Sequence, residues 1–235
     1  MLNQKIALIT GGSKGIGFGI AKAMLQNGMK VAITSRSQKS ADEAAAELGN
    51  PDQVIGIESD VRNYESQQKA VDQVIQKWGA LDILIANAGV GHFADIEDLS
   101  IDQWNEVIDI NLTGVFFSTK AALPYLKKSK GYLITIASLA GTNFFAKGAA
   151  YNASKFGLVG FTQAVMLDVR HDGVKVSTIM PGSVSTYFNN RVPTEAEAWK
   201  IQPEDVGQIV IDLLKMPART LPSKVEVRPS MPPKK

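Results

Sequence analysis

Three residues near the middle of the chain have the types and spacing for proton transfer: Ser138, Tyr151 and Lys155. Tyr151 and Lys155 are four positions apart, so in a helix they lie one above the other on the same face. An ammonium one turn from a phenol favours the phenolate. The expected result is a Tyr151 pKa pulled down from its usual value of about 10 toward neutrality. Ser138 ends an apolar run over 131–137, and a serine hydroxyl close to the phenol can hold a substrate oxygen. Such a set suits proton transfer on an alcohol or a ketone. Each residue also has a plainer reading: an exposed helix pair, and a serine that ends a strand.

Positioning these groups requires a regular scaffold, and the sequence alternates. Short apolar runs over 5–9, 31–35, 54–58, 83–86, 132–137 and 174–180 read as buried parallel strands, with a short last one over 225–227. Helical patterns lie between them, over 16–26, 64–78 and 150–171, and from Pro203 to about 215. Ser40 to Glu43 and Ser100 to Gln103 have the capping-box form and open two more helices, the first stopping near Gly49 and the second running to about 128. The second is expected to bend near 111–114, and Pro124 to kink or interrupt it. Strand–helix alternation throughout predicts an α/β class, a doubly wound parallel sheet (Rossmann fold) of about seven strands with helices on both faces. No linker or repeat divides the chain, so one domain over 1–235 is expected.

Composition excludes several classes. The net charge of +2 comes without any run of five like charges, which argues against nucleic acid or a membrane surface as partner. There is no cysteine, so thiol chemistry and disulfides do not enter. The two histidines, His92 and His171, are far apart in sequence, and no metal site is expected. The first residues lack a signal-peptide layout and no apolar stretch has membrane-spanning length, so a cytoplasmic location is expected.

Between the first strand and first helix lies Thr10-Gly11-Gly12-Ser13-Lys14-Gly15-Ile16-Gly17. Glycines there allow a tight turn and close approach of backbone to a phosphate, and the helix N-terminus behind offers N–H groups and a positive dipole end. Without a Gly-Lys-Ser/Thr ending, the segment is not a P-loop. The second strand ends Ser35-Arg36-Ser37 with no acid. An acid at that place grips a ribose 2′-hydroxyl, whereas an arginine suits a 2′-phosphate. Lys14 and Arg36, with Ser13, Ser35 and Ser37, are therefore expected to cradle the extra phosphate of NADP.

At this point the chain resembles the short-chain dehydrogenases/reductases, in particular their compact single-domain, 3-oxoacyl-carrier-protein-reductase-like subclass. The resemblance runs from Lys5 to about Leu214. Gly11, Gly15 and Gly17 match the family's glycine motif, and Asp60 with Val61 its adenine-contacting acid and following apolar residue. Asn87, Ala88 and Gly89 match its N-A-G motif, with Ala86 standing where another asparagine is usual. Asn111 matches the family's catalytic asparagine, Ser138 its serine, and Tyr151 and Lys155 its Y-x-x-x-K. Pro181 and Gly182, with Val184 and Thr186, match the segment that holds the nicotinamide end. The resemblance implies hydride transfer from NADPH to a ketone, a 3-oxoacyl thioester being one candidate. Tyr151 would be the proton donor and Ser138 would hold the oxygen. Lys155 would lower the Tyr151 pKa and hold the nicotinamide ribose, and Asn111 would hold a relay water. The competing reading is a non-catalytic NADP-binding regulatory or scaffold subunit.

The chain departs from the family in a short substrate loop over 187–202, with a single short helix expected after Thr194, and in a C-terminus without the usual glycine-rich ending. The first predicts an open substrate site. The second leaves a homodimer or homotetramer both open. Position along the chain names the substrate wall: His92 and Phe93 beside Gly91, then Asn143, Phe144 and Phe145, then Tyr187 and Phe188. These suggest a ketone with an apolar or acyl portion, and no arginine cluster for a strongly anionic substrate is evident.

Overall fold

The computed structural model describes residues 2–233. β1 (Ile6–Ile9) passes through the glycine loop into α1 (Gly15–Gln26). The chain continues as β2 (Lys30–Ser35), α2 (Gln38–Leu48), β3 (Val54–Glu58), α3 (Tyr64–Trp78) and β4 (Ile83–Ala86). Then come α4 (Ile101–Ile108), a π turn (Asp109–Thr113) and α5 (Gly114–Ser129), followed by β5 (Tyr132–Ile136), α6 (Ala149–Val169), β6 (Lys175–Pro181), α7 (Pro203–Lys215) and β7 (Lys224–Val227). The strands form one seven-stranded sheet in the order β3-β2-β1-β4-β5-β6-β7, every neighbouring pair parallel. This is the doubly wound α/β fold that the alternation predicts.

The strand sequences explain the layering. β1 (Ile-Ala-Leu-Ile) and β4 (Ile-Leu-Ile-Ala) are buried along their whole length, as strands covered on both faces must be. Successive side chains point to opposite faces. Ala7 and Ile9 therefore meet Ile20 and Met24 of α1 and Val206 and Val210 of α7. Ile6 and Leu8 meet the other layer, with Val71 and Val74 of α3, Val115 and Leu126 of α5 and Leu158 of α6. β7 alternates exposed and half-buried positions, as suits the sheet's outer edge. Among the described residues no helix is long and apolar enough to cross a membrane.

Three local features bear on the site. The bend expected near 111–114 is the π turn, in which the Gly114 N–H bonds the Asp109 carbonyl. Such widened turns inside helices recur at functional sites. The capping box at Ser100 is present: Gln103 N–H donates to Ser100 Oγ at 3.1 Å, and Ser100 N–H to Gln103 Oε1 at 3.2 Å. The segment over 187–202 has a short helix after Thr194 as expected, in 3-10 form over Glu195–Glu197 without a side-chain cap, and a further 3-10 turn over Phe188–Asn190. It is pinned to the end of β6 by a Val184–Ile201 bridge and by Ser185 Oγ donating to Glu197 at 3.1 Å.

Two expectations are corrected. Ser37, not Ser40, caps α2, accepting from the Ser40 N–H at 3.5 Å. The helix starts early because Gln38 at its first position is tied to β3, accepting from Glu58 N–H at 2.9 Å and donating to the Gly56 carbonyl at 3.1 Å. Pro124 does not interrupt α5, which runs through it to Ser129. Proline removes only its own N–H, while Ala121, Ala122 and Leu126 around it stay buried against the sheet and hold the helix in place.

Candidate active site

The strand order reverses direction on either side of β1, which pairs with β2 on one side and β4 on the other. Ligands of open parallel sheets bind outside the strands' carboxyl ends at such a point. One cleft of about 1360 Å³ opens there and continues past β5 and β6. It is larger than a site for a single drug-sized molecule.

The glycine loop forms its floor. Gly11 and Gly15 have φ of +63° and +59°, a region that a side chain disfavours. The loop is clamped to β2 and to the segment after β4. Gly12 N–H donates to the Thr34 carbonyl at 3.0 Å. Thr10 Oγ1 accepts from the Asn87 and Ala88 N–H groups at 3.0 and 3.1 Å. Asn87 Nδ2 returns to the Thr10 and Gly11 carbonyls at 2.9 and 3.0 Å. Ser13, Lys14, Gly15 and Ile16 line the cleft, and Lys14 at the start of α1 makes no side-chain capping bond. Gly17, expected among the cofactor residues, does not line it. Its place is structural: a Cβ there would stand 2.6 Å from Asn87 Nδ2 and 2.7 Å from the Gly11 carbonyl oxygen. Gly17→Ala is therefore expected to destabilise the protein by about 1–3 kcal/mol and to weaken cofactor binding. A thermal melt and a cofactor titration check both.

At the end of β2, Ser35, Arg36 and Ser37 line the cleft, with Ser37 doubling as the α2 cap. Asp60 and Val61 follow β3 along the same wall. Asp60 is not a free acid. Arg62 grips both its oxygens at 2.6–3.0 Å, and this hydrogen bonding holds the carboxyl below its ordinary range.

Ser138, Tyr151 and Lys155 converge on the cleft from two elements. Ser138 follows β5; its Oγ accepts from the Ala140 N–H at 3.1 Å and donates to the Pro181 carbonyl at 3.4 Å, near the Tyr151 hydroxyl. Tyr151 lies in the first turn of α6. Phe93 packs edge-on to its ring at 5.4 Å and Phe188 at 5.7 Å on a tilt. The expected lowering of the Tyr151 pKa is reversed. Burial raises it, and the nearby Ser138 hydroxyl opposes that only in part. Lys155 Nζ is 5.7 Å from the Tyr151 ring centre and donates instead to the Ile136 carbonyl at 3.1 Å. Burial brings its own pKa down to about 8. The neutral phenol, the form that can give up a proton, is thus the form the site holds.

Asn111 does not face the cleft; it is fully buried in the π turn. Its Oδ1 accepts from the Val90 N–H at 2.8 Å, and its Nδ2 donates to the Val90 carbonyl at 2.9 Å and to Ser154 Oγ at 3.0 Å. Both amide hydrogens are spent within the protein. Ala88 and Gly89 line the cleft beside Asn87, and Pro181, Gly182, Val184 and Thr186 line its opposite side.

The walls are aromatic. Phe93, Phe145, Tyr187 and Phe188 line the cleft, as does Asn143, whose amide turns back to the Leu139 carbonyl at 3.3 Å. Phe144 is corrected: it is 86% exposed and outside the cleft. His92 lines the cleft paired with Glu106 of α4, at 2.7 Å. Sequence reasoning missed Glu106, as well as Arg191 and Arg228, which also line the cleft although no arginine cluster was evident.

Fold and cleft together define an α/β protein with a nucleotide-type site at a topological switch point. The short chain dehydrogenase family model matches residues 5–197, and the chain belongs to that family of oxidoreductases. It is 33% identical over 231 residues to an uncharacterized oxidoreductase of Staphylococcus aureus (strain USA300), covering 97% of this chain and 99% of that one. A Staphylococcus epidermidis uncharacterized oxidoreductase is 32% identical over 230 residues, covering 97% and 98%. Among solved structures, an alcohol dehydrogenase from the archaeon Thermococcus sibiricus, complexed with 5-hydroxy-NADP, superposes with a TM-score of 0.91 at 29% identity, covering 99% of this chain and 100% of that one. A 3-ketoacyl-(acyl-carrier-protein) reductase from Brucella melitensis, complexed with NADH, gives 0.87 at 24%, covering 98% and 99%, and speaks for the fold alone.

Proposed function

We propose that the protein is an NADPH-dependent carbonyl reductase acting on a ketone with an apolar portion, a 3-oxoacyl thioester being one candidate. The observation that carries this reading is the convergence of Ser138, Tyr151 and Lys155 on an aromatic-walled cleft. The cofactor fits the residues present: a glycine floor with positive φ at Gly11 and Gly15, and a helix start that no side chain caps. Bound NADPH supplies the hydride to the carbonyl carbon. Ser138 holds the carbonyl oxygen. Tyr151 gives its hydroxyl proton to that oxygen as it becomes an alkoxide, and Ser138 stays hydrogen-bonded to the oxygen through the transfer. Lys155 would hold the nicotinamide ribose hydroxyls, and its charge would favour the transient phenolate. Phe93 and Phe188 exclude water from the proton transfer.

Preference for NADPH follows from the end of β2. Lys14 and Arg36 line the cleft there, and Asp60 is already neutralised by Arg62. The 5-hydroxy-NADP held by the Thermococcus sibiricus structure supports the same choice. Arg36→Asp is expected to weaken NADPH binding and improve NADH binding, moving the preference by roughly 10- to 100-fold for a lost charge-assisted contact and an added repulsion. Equal preference before and after would remove the phosphate cradle from the reading. A ketone panel followed by loss of nicotinamide absorbance tests the activity itself. Turnover of apolar ketones is expected; tight NADPH binding with no turnover on any carbonyl would favour a non-catalytic binding subunit.

A further inference from the structure

Ser154 lies between Tyr151 and Lys155 on α6 and is fully buried. It is a third polar group on that helix turn, and the mechanism above does not use it. Its Oγ donates to the Tyr151 carbonyl at 2.8 Å and accepts from Asn111 Nδ2 at 3.0 Å. Asn111 in turn holds the Val90 N–H and carbonyl together, at 2.8 and 2.9 Å. Three separate elements meet on this chain of bonds: the segment after β4, the π turn and α6. A Cβ built on Gly89, one residue before Val90, would stand 3.3 Å from Asn111 Oδ1 and 3.7 Å from Lys155 Nζ, so the junction lies directly against the lysine head.

We propose that Ser154 is a positioning residue: through Asn111 it fixes the π turn and the Val90 backbone against α6, and so sets where Lys155 and Tyr151 stand relative to the cofactor. The inference rests on the reductase reading for its kinetic readout but not for its binding readout. A hydroxyl is the right group here. It can accept from the asparagine while donating to its own helix, as a buried serine on a helix often does. The π turn provides the reach, since its wider turn carries Asn111 to full burial beside α6.

A double-mutant cycle on the full chain tests this. Ser154→Ala keeps the helix and the volume nearly intact but removes the acceptor for Asn111 Nδ2. It is expected to lower kcat for ketone reduction roughly 10- to 100-fold, the scale of a small misplacement of catalytic groups, with ketone KM changed by less than about threefold because substrate binding is untouched. Asn111→Ala is expected to produce a loss at least as large. In the Asn111→Ala background, Ser154→Ala should then add almost nothing, because the two act as one unit. Equal losses from Ser154→Ala in both backgrounds would overturn the proposal, as would a lowered Tm with kcat unchanged. The same cycle read on the NADPH dissociation constant needs no ketone. Non-additive weakening there supports the positioning role even if no carbonyl is turned over, an outcome that would count against the reductase reading alone. NADPH affinity and kcat both unchanged in Ser154→Ala would refute it outright.

Discussion

Tyr151→Phe is expected to abolish measurable ketone reduction, lowering kcat by roughly 10²–10⁴-fold, the contribution typical of a positioned general acid. NADPH should still bind within a few-fold of the wild type. The substitution removes one hydroxyl and leaves the ring, so the contacts with Phe93 at 5.4 Å and Phe188 at 5.7 Å survive. The fold should lose no more than about 1 kcal/mol for the missing hydroxyl. Single-turnover absorbance with excess enzyme and a cofactor titration separate the two effects. Unchanged kcat would remove Tyr151 from the chemistry.

The second large effect is double-edged. Lys155→Met should eliminate reduction and weaken NADPH binding, yet raise the Tm of the cofactor-free protein. Burial takes the Lys155 pKa from 10.5 down to about 8, so the fold disfavours the charged form that the unfolded chain carries at neutral pH. That fall corresponds to at most roughly 3 kcal/mol working against folding. Methionine fills similar space without charge, and loses the bond to the Ile136 carbonyl. A net gain of about 1–2 kcal/mol is expected, or about 2–8 °C in Tm for a chain of this size. The pH dependence fixes the sign. Between about pH 8 and 10.5 the unfolded wild type binds more protons than the native state at this residue, so wild-type stability rises through that window. The advantage of the Met variant should therefore be full below pH 8 and fade by about pH 10.5. A gap that stays constant with pH would mean the variant acts through packing instead.

Much of this architecture can be read from the chain because parallel strands buried on both faces leave continuous apolar runs, and because glycine loops mark where strands hand over to helices. The π turn was foreshadowed by the bend expected near Asn111. What stayed hidden depends on relations that the linear order does not carry. His92 and Glu106 meet at 2.7 Å although they stand fourteen positions apart, joined only by how α4 returns over the loop. Phe144 and Phe145 are neighbours of the same type, yet Phe145 lines the cleft and Phe144 faces solvent, since an irregular loop has no period from which to read direction. Gly17 looks like a phosphate contact and is instead needed for clearance from Asn87. The Tyr151 pKa went the opposite way because spacing shows a charge nearby but not how deeply both partners are buried.

Phe93, Phe145 and Phe188 stand on three different connections, after β4, after β5 and after β6, while Ser138, Tyr151 and Lys155 are held by a strand end and a helix. Phe93 and Phe188 are encoded outside the Ser138–Lys155 stretch that carries the chemistry, and only Phe145 lies within it. A lineage, or an engineer, can exchange one ring at a time and try new molecular shapes while Ser138, Tyr151 and Lys155 keep their places on other elements. The sheet would register none of these trials, because none of the three rings belongs to its core.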